Sequence, residues 1–383
     1  MALKNNTWTL NQWYDQDVAG NVSYSGAPGL FAVGYNGSGI LGQNQAHANL
    51  PAVSSPVQIP GTTWSELVMT NGNVYATRTD GTLWAWGSNY LGGLGQNSQG
   101  DSRSSPAQIP GTTWSSLGDV CVMQAAGAIK TDGTLWIWGE NQTGALGQND
   151  VNKLSSPVQI PGTTWSSFTI NQHQGLAIKT TGELWSWGNN YNGQLAQNSR
   201  TQYSSPVQVP GTTWSKIIAA DGAILAIKTD GTLWGWGYND KAILAQNNRT
   251  QRSSPVQVGS ESTWSDVTLK YRHVAAIKTD GTLWSWGYGS YGQIGNNTNY
   301  DVAGYSSPVQ IPGTTWSNVA AGAYTTYAKK TDGTFWGWGR GDEGNLGLNT
   351  TANYSSPVQI PGATWKTFPS IGNGNYLIGV TNI

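Results

Sequence analysis

The chain has 383 residues, 19 basic and 20 acidic side chains, a net charge of −1 and only 10% charged residues. That balance excludes a protein that holds nucleic acid by bulk phosphate neutralisation, which needs a basic excess. One cysteine, Cys121, and three scattered histidines, His47, His173 and His273, exclude a disulfide framework and a cysteine-rich zinc site, and no cofactor is expected.

Residues 1–28 stand outside the pattern that governs the rest. They hold Trp8, Trp13 and Tyr14, followed by a small-residue stretch that ends at Pro28. They read as an arm, with the three aromatics as candidate anchors for docking. Met1 to Leu10 lack the apolar core of a signal peptide. No run reaches the roughly 20 apolar residues of a membrane span. A soluble protein made in the cytoplasm is expected.

A repeat begins at residue 29, part-way through its unit. Gly29-Leu-Phe-Ala-Val-Gly34 occupies the place that later units fill with Leu-Trp-x-Trp-Gly. Leu41-Gly-Gln-Asn44 follows, then Ser55-Pro-Val-Gln-Ile-Pro-Gly-Thr-Thr-Trp64. The Ser-Pro signature recurs with its proline at 56, 106, 157, 206, 255, 308 and 357. A fixed period of about fifty residues denotes a solenoid, propeller or array. The most regular part of each unit is Ala-Ile-Lys-Thr, Asp-Gly, Leu-Trp-x-Trp-Gly, as at 128–139. Two strand-like runs joined by Asp-Gly predict a tight hairpin.

Each unit therefore offers four short strands and no helical period, which matches a propeller blade. The two tryptophans of Leu-Trp-x-Trp point to one face of the sheet, where they are expected to fill the gap between blades. The last unit supplies Ser356-Pro-Val-Gln-Ile, Trp365 and Tyr376–Thr381, then stops before a Leu-Trp-x-Trp strand. The first unit has only that missing strand. The predicted fold is an all-β, seven-bladed β-propeller of four-stranded blades over 29–383. It closes by pairing the N-terminal strand 29–34 with the C-terminal strands, which leaves no open edge.

On these residues the chain resembles the RCC1 family, the regulator-of-chromosome-condensation repeat. The shared marks are the fifty-residue period, the Trp-Gly that ends a strand and the Gly-x-Leu-Gly turn after it. That turn reads Gly92-Gly-Leu-Gly95, Gly144-Ala-Leu-Gly147, Gly292-Gln-Ile-Gly295 and Gly344-Asn-Leu-Gly347. Leu195-Ala196 and Leu244-Ala245 depart from it. The resemblance implies the propeller. For function it spans Ran exchange factors on chromatin, a plant ultraviolet receptor, secreted β-lactamase inhibitors and bacterial and phage proteins. The exchange factor's inserted wedge and basic tail have no counterpart here, so exchange and chromatin binding are not carried over. The receptor's extra tryptophans have none either. Seven tryptophans sit in Thr-Trp positions and twelve in Trp-x-Trp pairs, and Trp8 and Trp13 complete the 21.

Chemistry is sparse. No P-loop, dinucleotide fingerprint, nucleophile elbow or His-Glu-x-x-His pattern occurs. Asp80, Asp132, Asp230, Asp280 and Asp332 read as turn residues. Lys130, Lys179, Lys228, Lys278 and Lys330 read as strand-edge charges. Cys121 reads as a small buried side chain. What varies between units is the stretch after each Trp-Ser, at 67–75, 117–127, 168–175, 217–225, 267–274 and 319–327. It reads as a ring of loops on one face of a constant scaffold. The candidate partner-binding residues there are Asn171, Gln172, His173, Lys270, Tyr271, Arg272, His273 and Tyr324. The expected function is a non-enzymatic structural or binding propeller, foremost a virion component (phage tail or capsid surface). Its partners would be other virion proteins or a host surface receptor, with no nucleic acid and no membrane insertion. The alternative is a free-standing bacterial module of the inhibitor type. An enzyme ranks third, because it would need carboxylates or histidines converging in the central channel.

Overall fold

The computed structural model describes residues 30–70, 72–120, 125–171, 173–298, 301–342, 346, 348, 350–360, 370–371 and 377–378. Trp8, Trp13, Tyr14, Gln172 and Cys121 lie outside the described residues.

Six blades, each with four antiparallel strands, follow one another along the chain, and in the third the short strand Asp119–Val120 adds in parallel to Trp165–Ile170. Blade one consists of Trp64–Met69, Asn73–Arg78, Leu83–Gly87 and Arg103–Ile109. Blades two to six repeat this order from Trp114, Trp165, Trp214, Trp264 and Trp316. The Trp-Ser strands of successive blades approach one another and form the inner wall of the ring. The Ser-Ser-Pro-Val-Gln strand lies at the outer edge, where a proline costs no ladder hydrogen bond. The seventh blade has two pieces. Phe31–Tyr35 pairs with Ala52–Gln58, and Ser370–Ile371 pairs with Leu377–Ile378. Leu377–Ile378 comes within 8 Å of Phe31–Tyr35, and Ser370–Ile371 comes equally close to Trp64–Met69 of blade one. The two ends of the chain thus meet in one blade, whose first N-terminal strand starts two residues and ends one residue later than the sequence pattern placed it. The Ser-Pro strand Tyr354–Gln359 belongs to blade six, so each end supplies two described strands rather than three from the C-terminus and one from the N-terminus.

The core is a series of layers between neighbouring blades. One layer joins Ile218, Leu225 and Leu233 of blade four to Val267, Leu269 and Trp286 of blade five. The other blade boundaries repeat it. The second tryptophan of each pair is the largest component. Trp86, Trp138, Trp187, Trp236, Trp286 and Trp338 are at most 1% exposed, and each ring of this size removes about 150–250 Å² from water. Each indole also donates to a carbonyl of the preceding blade's loop: Trp138 Nε1 to Gly93 at 2.9 Å, Trp236 Nε1 to Gln194 at 2.9 Å and Trp286 Nε1 to Ile243 at 2.6 Å. That contact fixes the Gly-x-Leu-Gly turn, because a Cβ on Gly95 or Gly295 would stand 3.1 or 2.5 Å from the indole nitrogen. Ala196 and Ala245 fill the same place at φ 60° and 52°.

Other recurring residues have equally local reasons. The asparagine of Leu-Gly-Gln-Asn takes a left-handed φ and donates its N–H to the outer strand of the next blade, as Asn97 does to Ser155 at 2.7 Å. The glutamine closes onto its own outer strand, as Gln148 Nε2 does to the Gln159 carbonyl at 3.1 Å. In blades one to four a buried asparagine stands two residues after the Trp-Gly glycine, where blades five and six have Gly289 and Gly341; Asn190, for example, accepts from Leu195 N–H at 2.9 Å and donates to Thr201 at 2.7 Å.

The Asp-Gly hairpins are turns, as expected. In blade two the Asp132 carboxylate accepts the Thr134 hydroxyl at 2.7 Å and amide at 2.9 Å, which hold its pKa below the usual carboxylate range. The Thr134 oxygen in turn accepts Trp136 Nε1 at 2.9 Å. The lysines are not strand-edge charges. Lys130 Nζ lies 4.8 and 4.3 Å from the ring centres of Trp114 and Trp136, and Lys179, Lys228, Lys278 and Lys330 are held alike. The first tryptophan of each pair, the Trp-Ser tryptophan and the lysine form a cation–π clamp within the blade. Arg78 serves in blade one.

Candidate functional site

Antiparallel connection sends the Asp-Gly turns and Pro-Gly-Thr-Thr loops to one end of the ring. The variable turns and the loops after Trp-x-Trp-Gly go to the other. The variable stretches are mostly strand, as in Trp214–Ala220 and Ala223–Lys228, so the part of them that is loop is only the tight turn at each tip. In blades one and three to six the turn rests on the loop of its own blade; Tyr238 N–H donates to Gly222, Tyr288 N–H to Arg272 and Arg340 N–H to Tyr324.

Across blades four to six these tips form one continuous cluster. The Tyr324 ring lies between Tyr271 and Tyr291, with centroids 4.7 and 4.8 Å away. Burial first, and the Tyr271 hydroxyl next, push the Tyr324 pKa up to about 12. Arg340 lies 5.4 and 5.6 Å from the rings of Tyr291 and Tyr324 and pairs with Asp342 at 2.8 Å. Arg272 lies 5.5 and 5.7 Å from Tyr271 and Tyr238 and pairs with Asp240 at 3.1 Å. Lys241 lies 5.5 Å from the Tyr288 ring. Burial raises the Asp221 pKa, with Asp240 adding to the effect and Arg272 and Lys270 opposing it. Two more tyrosines of the same end, Tyr90 and Tyr191, are among the most exposed large side chains described.

Of the residues singled out in the sequence, Tyr271, Arg272 and Tyr324 come together here, and Lys270 is half-buried beneath them. His173 is exposed but lies in blade three, apart from this cluster. Asn171 is buried and shapes its turn by accepting the N–H groups of His173 and Gln174, both at 2.9 Å. His273 is not a rim residue. It is 1% exposed, and its Nε2 lies 3.0 Å from Thr326 Oγ1. Since Thr326 Oγ1 donates to the Gln293 carbonyl at 2.8 Å, the imidazole is the donor to Thr326 and carries its proton on Nε2. Burial lowers its pKa to about 4, so the ring is neutral and ties blade five to blade six.

Tyr238, Tyr288, Tyr291 and Arg340 were not singled out in the sequence. They occupy the loop after Trp-x-Trp-Gly, whose first residue is Ser88, Glu140, Asn189, Tyr238, Tyr288 or Arg340 in the six blades. That divergence was the available signal.

The second residues after the inner tryptophans, Glu66, Ser116, Ser167, Lys216, Asp266 and Asn318, are polar, and Ser116, Ser167 and Lys216 line one pocket. Glu66 Oε2 accepts Leu117 N–H from the next blade at 2.8 Å, and Lys216 pairs with Asp266. Among the described residues no group of three His, Cys, Asp or Glu side chains could hold a metal ion, and no helix is long and apolar enough to cross a membrane.

The model of the regulator of chromosome condensation (RCC1) repeat matches residues 80–128, 132–169, 181–223, 280–328 and 332–376, and a second model of that repeat matches 264–293. Comparison with curated protein sequences gives no match. Among solved structures, Prp20p from Saccharomyces cerevisiae aligns at a TM-score of 0.77 and 19% identity, covering 96% of this chain and 95% of Prp20p. Human WBSCR16 aligns at 0.76 and 18% identity, covering 93% of this chain and 99% of that one. At these identities the likeness establishes the fold.

Proposed function

The chain belongs to the regulator of chromosome condensation (RCC1) repeat family, and from that premise we propose that it is a non-enzymatic binding propeller that serves as a structural part of a larger assembly, foremost a virion. The observation that carries this reading is the asymmetry of the ring. One end is built from near-identical turns, each occupied with its own blade or the next, while the other presents divergent tips that converge in a tyrosine–arginine cluster. A rigid scaffold with an adaptable face suits recognition, and Tyr and Arg are the residue types that dominate contact energy at interfaces. Prp20p, the yeast RCC1 of the same fold, is described by its binding to Gsp1p and histones and by its complex with Kap60. Binding of protein partners therefore has precedent in a protein of this fold, while a near-zero net charge favours partners other than nucleic acid. The charge-poor surface and nearly identical units support the virion setting. Trp8, Trp13 and Tyr14 of the arm would anchor the ring, with the tyrosine-bearing end turned outward to a host surface.

The test is the hydrodynamic mass and assembly incorporation of the full chain beside a variant lacking residues 2–26. A folded ring that no longer joins its assembly is the expected result. Undiminished incorporation would refute the anchor, and a monomer in both cases would favour a free-standing binding module of the inhibitor type.

A further inference from the structure

Resting on the reading of this end as the outward contact surface, we propose that the tyrosine–arginine cluster of blades four to six is a binding site for an uncharged glycan. The aromatic surface is small and fixed. Tyr271 is 38% exposed and stands against Tyr324, itself backed by Tyr291. One exposed ring on a rigid support matches the C–H face of a single sugar ring better than a broad apolar protein patch, which would require several hundred Å² of exposed apolar surface.

The charges point the same way. Arg272 and Arg340 are already neutralised by Asp240 and Asp342 at 3.1 and 2.8 Å. An anionic ligand would have to displace a carboxylate from each guanidinium before gaining anything. A neutral polyol has no such competitor, because a guanidinium and a carboxylate held in place by each other keep further N–H donors and lone pairs for paired hydroxyls.

Beneath this surface lie polar atoms that the protein leaves unused. Gln293 is 0% exposed and its Nε2 has no hydrogen-bond partner among the described residues. The equivalent Gln194 of blade three donates to Asn189 Oδ1 at 2.8 Å. Blade five has Tyr288 at that place, so Gln293 loses its acceptor. Arg272 Nε and Ser290 Oγ, on the same turn and loop, are buried and equally unpartnered. A buried donor without a partner is unfavourable. Gln293 is enclosed, whereas the Arg272 side chain is 32% exposed beside the Tyr271 ring and is the group through which a hydroxyl-rich ligand would be held.

The test applies the intact chain to an array of neutral hexose and N-acetylhexosamine oligosaccharides, with sialylated and sulfated glycans beside them. The strongest neutral binder is then titrated calorimetrically at low and high salt. A neutral glycan is expected to bind with an affinity that salt leaves unchanged. Tyr271→Ala should weaken it roughly tenfold or more, a loss of about 1.4 kcal/mol. Tyr271→Trp should retain binding, and Tyr90→Ala, in blade one, should leave it unaltered. Absence of any neutral binder, binding restricted to anionic glycans and abolished by salt, or indifference to Tyr271→Ala would each overturn the proposal. The chain lacking residues 2–26 separates the two readings. Glycan binding without assembly faults only the anchor, and assembly without glycan binding faults only the ligand.

Discussion

Blade three carries a natural defect that the other blades show how to repair. In blades one, two, four, five and six the hairpin threonine donates to the turn aspartate at 2.6–2.7 Å and accepts the first tryptophan's indole N–H at 2.8–3.0 Å. Blade three reads Thr181-Gly182-Glu183, and there Trp185 Nε1 is buried without a partner. Only an ion pair of 3.7 Å between Lys179 and Glu183 stands in place of the relay. Replacing Thr181→Asp together with Glu183→Thr should restore the missing acceptor. An unmet buried donor costs about 1–3 kcal/mol, and the lost surface pair is worth less than about 1 kcal/mol. The half-buried Trp185 ring places the net gain at about 1–2 kcal/mol. Native-state hydrogen exchange of the Lys179–Leu184 amides should then slow by about 5–30-fold. The mirror experiment, Thr134→Val in blade two, should orphan Trp136 Nε1 and speed exchange there by a like factor, while Thr134→Ser should be nearly neutral. Unchanged exchange in the repaired blade, with Thr134→Val silent, would refute the relay as a source of stability.

His273 makes stability pH-dependent in a defined window. Its native pKa is lowered to about 4 from an ordinary 6.5, so the unfolded chain takes up the proton first. Its contribution is complete above pH 6.5 and is lost as pH falls towards 4, up to about 3 kcal/mol. His273→Gln, which copies Gln174 of blade three, should flatten the urea midpoint between those limits. Gly295→Ala should destabilise by more than about 1 kcal/mol in thermal unfolding, since its φ is +87° and the new Cβ meets Trp338 Nε1; an unchanged melting temperature would remove the turn's steric rationale. Deleting residues 29–34 should lower the melting temperature sharply by reopening the seventh blade, and an unchanged melt would count against closure.

Much of the fold was legible because a repeat displays its own constraints. The Ser-Pro spacing gave the period, Asp-Gly the hairpins, and the truncated first and last units the composite blade. What stayed hidden was pairing at a distance. Lys130 lies two residues from a turn and resembles a solvated strand end, yet its ammonium group is enclosed by tryptophans 16 residues before and 6 after it. Sequence position contains no hint of that clamp, because one of its walls comes from the inner strand.

The binding face divides along the same line. A position constant in every unit has a partner at constant register, as Asn97 has in Ser155, so one comparison of units explains all copies. A divergent position has only a particular partner, as Arg272 has in Asp240, 32 residues earlier and one blade away. Reading it requires knowing which loop stands beside which turn. His273 shows how much register alone settles. It begins the second strand of its blade, and the residues that begin that strand elsewhere, Asn73, Ala125, Gln174, Ala223 and Thr325, are all buried. A histidine at that register is committed to the seam between blades whatever its chemistry suggests. Tyr271 and Arg272, at the turn just before it, are the residues left to face a partner.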